Sequence, residues 1–275
     1  MGLAFDPETD FELALCLTPG IGSGTISRIL ARNAISNVSK RQFLSLSPDA
    51  LVEEYRLTER SARALARGAK GIEQDILKFK GRALGKNVRV ITFQDPRYPG
   101  RIEGFCENPP AFLVAYGNMQ VLHSKTFTVL ASRDAGPDSL AATEKSVEEG
   151  VLDSMVLVTG SNTAAYQRAA VVPLRWGAPR VLVLDRGLFK ALGDDLDQEP
   201  FPAARLWRYR FDAETDLVLS PFRPDDNFIG VNNKIRDELV VALSDEIRVA
   251  HVSKGGNVDK LSRRAEELGR AVIRL

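Results

Sequence analysis

The chain has 275 residues, 44% of them hydrophobic and 27% charged, with a formal net charge of +1. That composition buries one or two hydrophobic cores and excludes a disordered chain. No apolar run approaches the ~20 residues of a membrane span.

The acidic start MGLAFDPETD has no apolar signal region, and Asp6 stands where a myristoylation site needs Ser or Thr. Two cysteines, Cys16 and Cys106, are too few for a disulfide framework and lack metal-ligand spacing. They read as core residues of a protein in a reducing cytoplasm. Charge is unevenly spread: residues 13–86 hold 13 Lys and Arg against 6 Asp and Glu, a surplus of seven, while residues 1–12 carry four acids. A basic segment of this kind either meets a polyanion or is a solvated helical surface.

Phe11, Leu13, Ala14, Leu15 and Leu17 in DFELALCL are dense enough for a buried helix, with no β-branched residue among them. LTPGIGSGTISRIL follows, with Gly20, Gly22 and Gly24 at alternating positions. Such glycines suit a dinucleotide loop, where the backbone approaches a pyrophosphate at a helix start. They equally suit the turn of a helix-hairpin-helix, whose amides grip a nucleic-acid backbone. A dinucleotide loop needs a strand upstream, and the upstream pattern is helical, so the hairpin turn is expected. Ser23 is its N-cap, Ile26, Ile29 and Leu30 share one helical face, and a side chain at Gly22 is expected to disturb the turn if φ there is positive. SPDALVEEYRL opens on Ser47 as cap and Pro48 in the first turn. The next helical row runs through Ala62, Leu65, Ala69, Ile72, Ile76 and Phe79. Residues 10–86 therefore read as all-helical, and 1–86 as one domain.

The pattern changes at Asn87. VRVITF is the first strand-like run, the turn-rich QDPRYPGR follows, and PPAFLVAYGN is the next strand. Strands and helices then alternate: TFTVLAS, a helix from Pro137 to Glu149, MVLVTG, a helix from Ala164 to Leu174, and RVLVLD. After a poorly patterned stretch come LVLS, a helix through Arg236 to Leu243, EIRVAHV, a helix from Val258 to Leu268, and AVIRL. Residues 87–275 thus read as an α/β domain with a mostly parallel sheet and helices on both faces.

Ligands of such sheets sit at the carboxyl ends of the strands. Three junctions there are rich in small, hydrogen-bonding residues: ASRDAGPDS, TGSNTAA and SKGGNVDK. Each can aim backbone amides and a helix start at a phosphate, with Arg133 or Lys254 adding charge, although Gly-rich turns are also common for steric reasons alone. No triphosphate loop or H-E-x-x-H pair occurs, and His123 and His251 lie far apart. His251 in RVAHV reads as a core or edge residue, and Ser161 lacks the second glycine of a nucleophile elbow. No catalytic residue, metal site or cofactor is assigned.

Several segments together, in order, resemble the bacterial DNA-processing protein A (DprA/Smf) family: LALCLTPGIGSGTISRIL, VITFQDPRYPGRIEGFCENPPAFLVAYGN, TFTVLASRDAG, MVLVTG, LSPF and RDELVVALSDEIRVAHVSKGG. The most specific part is Asp95, Tyr98 and Pro99, followed by Pro109 and Pro110 before a strand ending in Gly117 and Asn118. The resemblance implies a Rossmann-like domain behind a helix-hairpin-helix or SAM-like module, binding of single-stranded DNA, and help in loading the recombinase RecA during natural transformation. A second copy of the chain is a further implied partner; a membrane is not. The family's G-S-R loop appears as Ala131, Ser132 and Arg133. Its next loop is replaced by GSNTAAY, and its R-N-R helix start aligns with Arg236, Asp237 and Glu238. The winged-helix module of many members has no counterpart before AVIRL.

On this reading Arg133, Arg236 and Lys254 neutralise phosphates, while Ser132, Gly160, Ser161, Gly255 and Gly256 supply donors or close backbone approach. The two acids after Arg236 are expected to weaken phosphate binding. The rival readings are a nucleotide-derivative sensor or phosphoribohydrolase-like protein on the same fold, and a scaffold that keeps only a protein-binding surface. Against the hydrolase, KGGNVDKL lacks the glutamate of the P-G-G-x-G-T-x-x-E motif.

Overall fold

The computed structural model describes residues 5–66 and 70–275. The chain divides into two compact units, one of residues 1–86, 90–98 and 108–113, the other of residues 87–89, 99–107 and 114–275. The chain therefore passes between the units more than once after residue 86.

The first unit is built on helices α1 (Phe11–Leu17), α2 (Ser23–Ser36), α3 (Lys40–Leu44), α4 (Pro48–Tyr55), α5 (Glu59–Ala66) and α6 (Lys70–Ala83). The helical row read across residues 62–79 lies on α5 and α6 where it is described, and Ala69 of that row lies outside the described residues. Its core gathers the apolar faces: Phe11 meets Phe43 edge-on at 5.5 Å between centroids, and Phe43 meets Tyr55 at 4.8 Å. The buried Tyr55 hydroxyl donates to Asn33 Oδ1 at 2.7 Å, so the polar end of the ring is satisfied inside. Ser47 caps α4 as its sequence predicts, its hydroxyl accepting the Ala50 N–H.

The opening glycines join two helices, α1 and α2, and among the described residues no strand precedes them. Gly20 is the residue with φ +81°, and a Cβ there would come 2.5 Å from Ser61 Oγ. Ser61 donates to the Pro19 carbonyl at 3.2 Å, so the turn before α2 is held against the start of α5. Gly22 has φ −97° and acts as the N-cap, and Ser23 is the first helical residue. Both sequence expectations for this turn shift by a residue or two: the strained position is Gly20, and the cap is Gly22.

Eight strands form one sheet: β1 (Val88–Thr92), β2 (Phe112–Gly117), β3 (Thr126–Ala131), β4 (Val156–Thr159), β5 (Arg180–Val183), β6 (Leu217–Ser220), β7 (Glu246–His251) and β8 (Ala271–Arg274). Their order is β1-β2-β6-β5-β4-β3-β7-β8. From β6 through β8 neighbouring strands are parallel, and β2 runs antiparallel to β6. Strands β2, β4, β5 and β6 are buried along their whole length, as continuous runs such as FLVAYG and LVLS require.

Seven further helices connect these strands: α7 (Arg101–Phe105), α8 (Pro137–Leu152), α9 (Ala164–Trp176), α10 (Leu188–Leu192), α11 (Pro202–Leu206), α12 (Asn232–Ala242) and α13 (Asn257–Glu267). Phe127, Val129 and Leu157 pack under Val147 of α8 and Ala169 and Val172 of α9. The chain moves outward from β3 to β4 to β5, then crosses back past β3 to β7. Right-handed crossovers in the two directions put α8 and α9 on one face and α12 and α13 on the other. The stretch without a clear pattern, residues 184–216, holds α10 and α11 and is pinned by Arg180. That guanidinium is fully buried: Nε donates to Asp216 Oδ2 at 2.9 Å, one terminal nitrogen to the Ala170 carbonyl at 2.9 Å, and the other to Glu199.

Candidate nucleic-acid interface

Strands β3, β4 and β5 are parallel, so the loops that leave them emerge along one edge of the sheet. A cleft of about 520 Å³ opens among these loops, lined by Ser132 and Arg133 after β3, Asn162 and Thr163 after β4, and Arg186 after β5. Phe228, from the approach to α12, and Asn233, in its first turn, also line it. The Thr163 hydroxyl caps α9 by accepting the Tyr166 N–H at 3.2 Å, and Ala164 and Ala165 of that first turn face the cleft. The positive end of a 13-residue helix dipole is thereby directed at any occupant.

Arg133 is exposed at the cleft and, among the described residues, makes no ion pair. Arg186 is held by Asp185, its Nε donating to Oδ1 at 2.8 Å, and its guanidinium lies 5.6 Å from the centroid of the Phe228 ring. Phe228 is 40% exposed at the rim. A cation, a helix N-terminus and an aromatic face backed by arginine are the elements that take a phosphate and a base together.

The expected site residues separate into groups. Ser132 and Arg133 line the cleft; Gly160, Ser161, Arg236, Lys254, Gly255 and Gly256 do not. Ser132 is largely engaged within the fold: its N–H donates to the His251 carbonyl at 3.0 Å and its hydroxyl accepts the Ser253 N–H at 2.9 Å, stitching the β3 and β7 loops together. Asp134 accepts the Ser253 hydroxyl, a bond that holds its carboxyl below the usual range, with His251 Nε2 3.4 Å away. Lys254 is exposed on the neighbouring loop. The amides beside it are already satisfied: Gly255 N–H donates to the Asp259 carboxylate at 2.8 Å and Gly256 N–H to the Ser253 carbonyl at 2.9 Å. Asp259 thus fills the anion position that the SKGG turn was expected to offer.

Arg236 departs furthest from expectation. Helix α12 begins at Asn232, a turn before RDE, which carries Arg236 into the second turn and beneath the edge, 1% exposed. Its Nε donates to Asp237 Oδ1 at 2.9 Å, another nitrogen to Asn162 Oδ1, and Asp185 Oδ2 lies 3.7 Å away. The guanidinium stacks over Tyr166 at 4.8 Å. Asp237 is bound into the same cluster by the Tyr166 hydroxyl at 2.8 Å and Asn257 Nδ2 at 2.7 Å. Burial pushes the Tyr166 phenol well above its ordinary pKa, so it remains the donor to Asp237. Gly160 makes room for this cluster, since a Cβ there would sit 2.7 Å from Arg236 Cδ. Ser161 is buried beside it.

The sequence reading missed Asn162, Arg186, Phe228 and Asn233. Arg186 follows RVLVLD at the carboxyl end of β5, on the edge already singled out, and only its lack of a glycine-rich junction hid it. The residues that carry the family resemblance build turns: Tyr98 donates to the Pro110 carbonyl at 2.6 Å, Asp95 holds Arg97, and Asn118 spans to the Glu214 carbonyl at 3.1 Å. Among the described residues no group of His, Cys, Asp and Glu could hold a metal, and no helix is long and apolar enough to cross a membrane.

A mostly parallel sheet whose strand order turns back at β3, with its cleft at the carboxyl edge, defines a Rossmann-like binding domain. The chain belongs to the DNA recombination-mediator protein A family, whose model matches residues 89–275. Its fold is similar to that of DNA processing protein A (DprA) from Streptococcus pneumoniae, seen in an X-ray structure, with a TM-score of 0.69 at 18% identity over 97% of this chain and 86% of that one. It is also similar to DNA processing protein A from Helicobacter pylori, described for its single-stranded DNA binding mode, with a TM-score of 0.52 at 17% identity over 68% of this chain and 81% of that one. No curated protein matches the sequence.

Proposed function

We propose that the chain binds single-stranded DNA at the carboxyl-edge cleft, with Arg133 neutralising a phosphate and Phe228, backed by Arg186, stacking a base. The observation that carries this reading is the pairing of an unengaged cation with an exposed aromatic face across one cleft at a helix start. Stacking on an aromatic face tolerates every base, and phosphate contacts position a strand without reading it, so binding is sequence-tolerant. The work assigned to the cleft is binding, with no bond broken. Within the family resemblance, this binding serves cytoplasmic DNA uptake and recombination, with RecA and a second copy of the chain as partners.

Fluorescence anisotropy with labelled oligothymidine, a duplex and mononucleotides tests the reading. Oligothymidine should bind, and Phe228→Ala should weaken it by about tenfold, in keeping with ~1–3 kcal/mol per stacked base. Tight binding of mononucleotides with no preference for the polymer would favour the sensor reading instead, and an unchanged Phe228→Ala variant would remove the stack.

A further inference from the structure

Arg236 is the most connected side chain at the cleft's edge without lining it. It touches Asn162 from the β4 loop, Asp185 from the β5 loop, Tyr166 of α9 and Asp237 of its own helix, and through Asp237 the cluster reaches Asn257 of α13. Asn162 in turn donates from Nδ2 to Asn233 Oδ1, and Asn233 donates from its own Nδ2 to the Gly230 carbonyl at 3.2 Å. Both asparagines line the cleft.

The chemistry of this relay fixes its direction. A guanidinium has donors and no acceptor, so the atom of Asn162 that faces Arg236 must be the oxygen. The Asn162 nitrogen then faces Asn233, whose oxygen must turn to receive it. Each amide nitrogen carries two hydrogens, and among the described residues each donates one of them within the relay. The second hydrogen of each has no partner among the described residues.

We propose that Arg236 is a positioning residue of the cleft: lodged between Asp237, Asp185 and Tyr166, it sets the Asn162–Asn233 pair so that the wall presents N–H donors. The wall therefore selects ligand atoms that accept hydrogen bonds, namely phosphate oxygens and base carbonyls. This rests on the single-stranded DNA reading and adds a role to it. Arg236 contributes no charge to a phosphate, and the acids after it do not oppose one. Asp237 neutralises Arg236 inside the cluster, and Glu238 is not among the residues that line the cleft. Gly160 belongs to the same device, because only a residue without a side chain leaves space for the buried guanidinium.

The test uses the full chain with Arg236→Lys, Asn162→Ala and the double variant, each confirmed folded by its melting transition. Lysine keeps the charge and loses the planar fork. Arg236→Lys should weaken oligothymidine binding by about tenfold, the scale of one positioned hydrogen bond. Asn162→Ala should do the same, and the double variant should be no worse than either, since residues acting through one relay are not additive. Full affinity in Arg236→Lys, or losses that multiply in the double variant, would overturn the proposal. A second readout needs no DNA. The side-chain amide resonances of Asn162 and Asn233 in the free protein should shift in Arg236→Lys, and unshifted resonances would refute the relay. A parent protein that binds no oligomer would defeat the DNA reading, while the amide resonances would still decide whether the relay exists.

Discussion

At the scale of single residues, glycines that look alike in sequence do different work. Gly20 occupies the left-handed region at φ +81° with Ser61 Oγ against its missing Cβ, whereas Gly22 has open space and an extended N-cap backbone. The same substitution at the two positions separates these roles. Gly20→Ser should destabilise the helical unit by about 1–2 kcal/mol for the backbone alone, with the steric conflict in addition. Gly22→Ser supplies a capping hydroxyl and should be neutral or stabilising by a few tenths of a kcal/mol. Thermal or urea unfolding of both variants checks this, and an equal loss at the two sites would contradict the assigned turn geometry. The spacing G-x-G-x-G carries no information about which φ is positive, because that depends on where the start of α5 presses on the turn.

At the scale of elements, the segment between β5 and β6 shows what sequence patterning leaves out. Its helices are five residues long, and beside buried apolar side chains such as Leu192 and Phe201 it is held by one buried ionic cluster, Arg180 with Glu199 and Asp216. Such clusters have no periodic signature, so the stretch was unreadable, whereas strands such as VLVT and helices such as PDSLAATEKSVEEGVL were legible from hydrophobic runs and their caps. Burial is the leading cause that raises the pKa of Glu199 and Asp216, against the pull of Arg180. A carboxyl whose folded pKa is raised binds more protons folded than unfolded just above its ordinary value, so stability falls as pH rises through that window. Glu199→Gln keeps the shape of the neutral acid and removes the titration. Its stability relative to the parent should therefore improve as pH rises from about 4.5, the ordinary glutamate value, toward neutrality. Denaturant unfolding at a series of pH values measures the difference, and a variant that loses ground over that range would show that Arg180 outweighs burial at Glu199. The site was legible to a similar degree. The carboxyl edge and the loop that holds Ser132 and Arg133 are readable from strand–helix alternation and loop composition, but the place of Arg236 turns on where α12 begins, and a helix start one turn early carries that arginine into the interior.

At the scale of the whole molecule, the near-neutral net charge of +1 means that the proposed DNA binding has to come from local charge at the cleft. The surplus of seven positive charges in residues 13–86 belongs to the helical unit, and the remaining residues from 87 onward sum to about −2. Salt dependence distinguishes a cleft from a broad field, because each phosphate neutralised on a single strand contributes about 0.7 to the log–log slope. With Arg236 buried and Lys254 outside the lining, Arg133 and Arg186 are the cations of the cleft. Their joint slope is about 1.4. That value is an upper bound for these two, since Asp185 already draws on Arg186. Arg133→Ala should lower the slope by about 0.7 and weaken all sequences alike, because a phosphate contact carries no base information. Lys254→Ala should leave both slope and affinity near the parent's. Anisotropy titrations of oligothymidine across a salt series give all three numbers. A parent slope above about 3 would mean that cations beyond the cleft, with the basic helical unit as their source, neutralise the strand as well. A slope untouched by Arg133→Ala would take the phosphate away from that residue.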